Sequence, residues 1–159
     1  MKIKAFKILS LIFFISFTIS CEKDNLLPNS EDKILGKWNY YKVTFTEGFF
    51  KTKDISSEYS NIKVEFFKNK TFIQTDTQNN EKLFGTWNIY TDTVYSDDGY
   101  DIIEYLKGNL HDTINAVSYD VFWDYLDVSR TKINYQEETN EGTYKYKLNR
   151  ILDGKRNNM

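Results

Sequence analysis

The sequence predicts an all-β domain, a small antiparallel up-and-down β-barrel of about eight strands. Three observations lead there. From Leu35 onward Tyr, Phe, Thr, Val and Ile dominate, residues that suit a pleated, half-buried surface. Short stretches alternate apolar and polar with period two, most clearly Ile62-Lys63-Val64-Glu65-Phe66. Turn signals separate these stretches at short intervals, so consecutive strands should pair as antiparallel neighbours. Eight such strands close best as a barrel, which removes exposed edges.

The residues before Leu35 read as delivery apparatus. Lys2, Lys4 and Lys7 make a basic start, and Ile8 to Ile19 is an apolar run broken only by Ser10, Ser16 and Thr18. That is the pattern of a signal peptide over residues 1–20, and it is short of the roughly 20 apolar residues of a membrane span. Cys21 follows, the only cysteine in the chain. Thr18-Ile19-Ser20-Cys21 resembles a bacterial lipobox, with Thr18 where Leu is usual. The resemblance implies cleavage before Cys21, a thioether to lipid on its sulfur, and palmitate-type acylation that places the protein on the outer membrane. Two or more acyl chains anchor stably, at ~0.8 kcal/mol per buried methylene. Ordinary cleavage with a free thiol is the alternative.

Residues 21–33 are polar and hold the only proline, Pro28. They read as a tether with a reach on the order of 20 Å. Cys21-Glu22-Lys23-Asp24-Asn25 resembles the acidic export signal of Bacteroidota-type surface lipoproteins, with Asn25 in place of a second acid. A periplasmic and a cell-surface location therefore both stay open, as does an ordinary linker. The folded domain is expected over 34–152, with 153–159 as a disordered tail.

Within the domain, strands are expected at 37–46, 60–67, 71–77, 83–90, 100–107, 117–125, 131–137 and 143–151. The first contains Gly36-Lys37-Trp38 at its start, and this Gly-x-Trp recurs at Gly85-Thr86-Trp87. Trp38 shares a face with Tyr40, Lys42 and Thr44, yet Tyr41, Val43 and Phe45 look more like core. A bulge near Tyr40-Tyr41 would swap the faces and resolve the conflict. Gly48 to Tyr59 is a longer loop with room for a helical turn near Ser56-Ser57. Asn69 is placed to take a positive φ in the next turn. Asn79-Asn80, Ser96-Asp97-Asp98-Gly99 and Asn140-Glu141-Gly142 mark further turns. Residues 100–107 fit a short helix as well as a strand, and extension is favoured by their β neighbours.

Removing residues 1–20 leaves 139 residues (159 − 20), enough for one domain with a real core. The mature charge is 18 − 23 = −5, since Lys2, Lys4 and Lys7 leave with the signal. An acidic balance argues against a nucleic-acid partner, which needs a basic face. With no second cysteine, packing alone must hold the fold.

Catalytic signals are poor. The single histidine, His111, lies beside Asp112 without a nucleophile motif. Asp97-Asp98-Gly99-Tyr100-Asp101 departs from a calcium loop because Val94 takes the first ligand position. No catalytic residue, metal ligand or cofactor is expected, and the chain is not expected to be an enzyme.

Taken together, the motifs identify a family resemblance. Leu35-Gly36-Lys37-Trp38 resembles the opening of the lipocalins. Glu65-Phe66-Phe67-Lys68-Asn69-Lys70-Thr71-Phe72, Gly85-Thr86-Trp87, Leu126-Asp127-Val128-Ser129-Arg130-Thr131-Lys132-Ile133 and Gly142-Thr143-Tyr144-Lys145-Tyr146-Lys147-Leu148 resemble lipocalin-like lipoproteins of Bacteroidota. The resemblance spans residues 34–151. It implies that Trp38 plugs one barrel end with Arg150 packed across it, and that Gly36 allows the close approach. The alternative for Arg150 is a solvated strand end.

The chain has 12 Tyr, 12 Phe and 3 Trp. Phe66, Trp87, Trp123 and Tyr146 are the candidates for ligand contact. These aromatics either line a cup for a small apolar ligand or fill it. The first case is a monomeric envelope carrier; the second is a packed barrel that serves as a structural or interaction module for a partner protein, and aromatic bulk favours it.

Overall fold

The computed structural model describes residues 30–48 and 51–152. In order they form a helical turn α1 (Ser30–Ile34), β1 (Gly36–Glu47), β2 (Lys51–Asp54), a 3-10 turn (Ser56–Tyr59), β3 (Ile62–Phe66) and β4 (Thr71–Asp76). β5 (Glu81–Ser96), β6 (Gly99–Asp112), β7 (Val117–Val128), β8 (Lys132–Glu138) and β9 (Thr143–Arg150) follow. The expected signal peptide, Cys21, the first part of the tether and the expected tail lie outside the described residues.

The strands pair antiparallel in sequence order, and β9 returns to β1, closing an eight-stranded antiparallel barrel. β2 and β3 lie on one edge of β1, β2 against its C-terminal half and β3 against its N-terminal half. They act as one barrel strand interrupted by the 3-10 turn. The turn was expected near Ser56-Ser57; β2 was not, because Lys51-Thr52-Lys53-Asp54 is exposed at every position and carries no alternation. Ser56 ties the interruption back to β1: its Oγ accepts from the Val43 backbone N–H at 2.9 Å.

The face conflict in β1 is resolved by a bulge. Tyr40 pairs with Leu148 and Lys42 with Lys147, so Tyr41 is the extra residue. Trp38, Tyr40 and Val43 are thereby all buried, while Tyr41 and Lys42 face solvent. β7 uses the same device. Its register shifts between Asp124 and Asp127, Tyr125 adopts φ 48° and turns outward, and Trp123 and Leu126 both stay in the core.

Residues 100–107 are strand, within β6. Both strands of this hairpin outrun their expected limits. β4 pairs with β5 only as far as Thr86, and β7 joins β6 only at Leu106. The rest of the β5–β6 ladder therefore rises beyond the barrel as a two-stranded ribbon. Residues 91–102 are exposed on both faces, so the ladder continues where the burial that creates alternation has ended.

Two smaller differences are local. In the β3–β4 turn Lys70, not Asn69, takes the positive φ of 64°. Asn69 instead accepts from the Thr71 N–H and hydroxyl, fixing the turn through its side chain. At the N-terminus, residues 30–33 were assigned to the tether but belong to α1, whose Ser30 and Ile34 are buried. Ser30 donates its hydroxyl to the Glu104 carboxylate, which docks α1 at the root of the ribbon.

Deleting Tyr41 should force either Trp38 and Tyr40 or Val43 out of the core. The deletion is expected to lower unfolding free energy by at least about 3 kcal/mol, the scale of losing a large core side chain. Tyr41→Ala, at an exposed position, should cost less than about 1 kcal/mol. Urea unfolding followed by circular dichroism measures both.

Candidate ligand site in the barrel lumen

One barrel end is closed by two Trp–cation pairs. Trp38 is fully buried and donates its indole N–H to the Ile34 carbonyl at 2.7 Å. The Arg150 guanidinium lies over its ring, 4.3 Å from the centroid, and the two residues are cross-strand partners. Arg150 also donates to the Leu35 carbonyl at 2.6 Å and to the carbonyls of Lys33 and Arg130. A Cβ on Gly36 would sit 2.8 Å from the guanidinium, and Gly36 has φ 112°, so the position requires glycine. Burial lowers the guanidinium pKa from its ordinary value.

The second Gly-x-Trp builds a similar pair. Trp87 donates its indole N–H to the Thr71 carbonyl at 3.0 Å, and Lys70 Nζ stands 4.3 Å over its ring. Lys70 pairs with Glu31 of α1 at 2.6 Å. Gly85 leaves space for the Phe72 ring, which would lie 2.6 Å from an added Cβ. The sequence reading missed Lys70. The available signal was a lysine at the closing position of the turn that faces the second Trp.

Above this floor the interior is aromatic. Phe66 meets Trp87 and Trp123 edge-on at 5.6 and 5.5 Å and stacks on Phe72 at 5.5 Å. Trp123 stacks on Tyr135 at 3.9 Å, and Tyr135 on Tyr146 at 4.5 Å. Each such pair contributes ~0.5–1.5 kcal/mol beyond the area it buries. Tyr40 and Tyr59 contact Tyr146 at 5.9 and 5.6 Å.

At the end away from α1 the rings leave a cavity of about 200 Å³. Its wall is built by β1, the 3-10 turn, β4, β6, β7, β8 and β9, so it is the barrel lumen. Of the four residues expected to contact ligand, Trp123 and Tyr146 line it. Phe66 and Trp87 do not; they are buried beneath it and form its floor with Phe72. The wall residues that sequence reading did not single out include Tyr40, Tyr59, Tyr119 and Tyr135, with Gln74, Asp120 and Glu137 as the polar members. Alternation in β8 places Glu137 on the same face as buried Tyr135.

The tyrosine hydroxyls are tied to one another and to Glu137. Tyr40 and Tyr135 share a hydrogen bond at 3.0 Å, and Tyr146 donates to Glu137 Oε2 at 3.2 Å. Burial pushes the phenols of Tyr40, Tyr135 and Tyr146 well above the ordinary value of 10.0. For Tyr146 the bond to Tyr59 adds to the effect. These side chains stay neutral donors and acceptors across the physiological range.

His111 lies outside the lumen, on the exposed face of β6, with Nδ1 3.0 Å from Ser118 Oγ. The Asp112 carboxylate beside it is occupied by the Asn115 side chain and by the N–H groups of Asn115 and Ile114, which lower its pKa. Among the described residues no three His, Cys, Asp or Glu side chains converge on a metal-sized site. The chain matches no protein-family model, no curated protein and no solved structure.

Arg150→Ala removes three charge-assisted hydrogen bonds and the ring contact. It is expected to cost about 2–4 kcal/mol in urea unfolding, with Arg150→Lys recovering less than half, because an ammonium cannot reproduce the guanidinium fork.

The tyrosines make stability fall at high pH. A phenol whose pKa is raised by folding stabilises the fold fully below its unfolded pKa, and that contribution is lost as pH rises from about 10 through the folded value. Tyrosinate absorbance should therefore reach the amplitude of all 12 tyrosines only when near-UV circular dichroism collapses.

Proposed function

We propose that this protein is a lipid-anchored, lipocalin-like binding protein of the cell envelope that holds a small, largely apolar ligand in its lumen and performs no catalysis. The observation that carries the reading is the lumen of about 200 Å³, closed below by Trp38 and Trp87 and walled by tyrosine and tryptophan. Its hydrogen-bonded tyrosines form a preorganised surface with little side-chain freedom to lose on binding. Aromatic walls with a few placed polar groups are the usual make-up of a small-molecule pocket.

The anchor belongs to the same proposal. Cys21 would carry the lipid on the outer membrane, on the periplasmic or the cell-surface side. The chain enters the described domain at Ser30, and α1 docks at the closed end. Tethering there would turn the open mouth away from the bilayer, where a ligand can enter.

A second reading, a barrel acting through its outer surface on an envelope protein, has one observation in its favour. The β5–β6 ribbon exposes Tyr95, Tyr100 and Ile102 by 81, 66 and 66 %, and large exposed apolar side chains grouped on one element mark contact surfaces.

Native mass spectrometry of the protein extracted from its own cells should find a small co-purified molecule. Val121→Trp, which places an indole in the lumen, should abolish it, and Cys21→Ser should abolish incorporation of radiolabelled fatty acid. A wild-type protein with nothing bound would contradict the carrier reading, and label retained in Cys21→Ser would contradict the anchor.

A further inference from the structure

We infer that the lumen is built for a small organic cation, an alkyl- or arylalkyl-ammonium, rather than for a neutral or anionic molecule. The inference rests on the lumen-binding reading above and specifies its ligand class. Four observations lead to it.

First, the charge inside has one sign. Glu137 is the acid on the inward face of β8, and among the described residues no Lys or Arg borders the cavity. Asp120 touches it as well, but its carboxylate accepts from Asn109 across the β6–β7 ladder. Lys145 and Lys147 alternate with Tyr146 and Leu148 and are exposed. An anion entering the lumen would meet a carboxylate and no opposite charge.

Second, the wall keeps acceptor sites beside its remaining donors. Tyr40 and Tyr135 share one hydrogen bond, which uses one of their two protons, and Tyr146 gives its own to Glu137. Phenol lone pairs and the second oxygen of Glu137 stay available as acceptors. Ammonium N–H groups match those acceptors.

Third, among the described residues the rings of the wall have no cation of the protein's own beside them. Trp38 and Trp87 at the floor are each covered by a cation of the protein's own, at 4.3 Å in both cases. Tyr40, Tyr59, Tyr119, Trp123 and Tyr146 border the lumen with no Lys or Arg beside them in its wall. Aromatic walls with a carboxylate are how proteins recognise ammonium groups.

Fourth, filling the lumen strips water from Glu137. A neutral apolar ligand leaves that carboxylate with the Tyr146 hydroxyl as its side-chain partner, whereas a cation offsets the lost hydration with opposite charge. The size limits the choice: a cavity of roughly 150 Å³ accepts benzene, so about 200 Å³ suits one ring or a short branched chain bearing the amine.

Three probes of nearly equal shape separate the cases: benzylammonium, benzyl alcohol and benzoate. Each is titrated into the full-length protein in detergent, with empty micelles subtracted, and read by tryptophan fluorescence and calorimetry. Benzylammonium should bind at least tenfold more tightly than benzyl alcohol, and benzoate more weakly than either. In Glu137→Gln the affinities for benzylammonium and benzyl alcohol should converge. The wild-type ranking decides the matter even if that variant folds poorly. Benzyl alcohol or benzoate binding as tightly as benzylammonium would overturn the cation assignment and leave the lumen reading standing. Binding of none of the three would overturn both.

Discussion

The contact between Arg150 and Trp38 joins the two ends of the domain. Trp38 stands near the start of the first strand and Arg150 ends the last, so the pair spans nearly the whole barrel sequence. The guanidinium does more than cover the indole. It collects the carbonyls of Lys33 and Leu35 from the entering chain and that of Arg130 from the β7–β8 connection. Those carbonyls lie outside the strand ladders, and hydrogen bonds from a charged donor such as this contribute about 1.5–3 kcal/mol when partly buried. One side chain thus fixes the seam between β1 and β9, the approach of α1 and the closed end of the lumen.

Closure at one end gives the other its character. Because Trp38, Trp87, Phe66 and Phe72 fill the lower interior, the remaining space is a shallow cup rather than a through-channel. Its wall is rigid for a physical reason: Trp123, Tyr135 and Tyr146 form a continuous stack across three adjacent strands. Burial keeps the phenols neutral, so the wall presents hydroxyl oxygens and ring surface, with Glu137 supplying charge at the mouth. The cations sit in the floor, over Trp38 and Trp87, and not in the wall. This separation of charge is the basis for assigning the lumen a cationic occupant.

Much of this architecture was legible in the residues. The strand count, the order and the antiparallel barrel follow from alternation and turn spacing. Trp38 and Val43 cannot share a core in a regular strand; that conflict points to a bulge near Tyr40-Tyr41, and Tyr41 is the extra residue. The pattern failed where burial fails. The ribbon of β5 and β6 and the short β2 make full ladders without a buried face, so nothing in their composition announces their length. The site was less legible than the fold. Phe66 and Trp87, expected to contact ligand, form the floor, while Tyr40, Tyr59 and Tyr135 define the cup through contacts that cross the barrel. Alternation tells which residues point inward but not at what height, and height separates a wall from a floor.

The central claim is a barrel sealed by Trp38 and Trp87 and open at Trp123. Acrylamide quenching of three variants, each keeping one tryptophan and replacing the other two with phenylalanine, tests it directly. Trp38 and Trp87 are at most 1 % exposed, whereas Trp123, at 5 %, borders the lumen. The structure predicts that acrylamide reaches Trp123 through the open mouth and quenches it clearly more than the other two. Equal protection of all three would mean a filled barrel, and stronger quenching of Trp38 would mean that the Arg150 end is not the closed one.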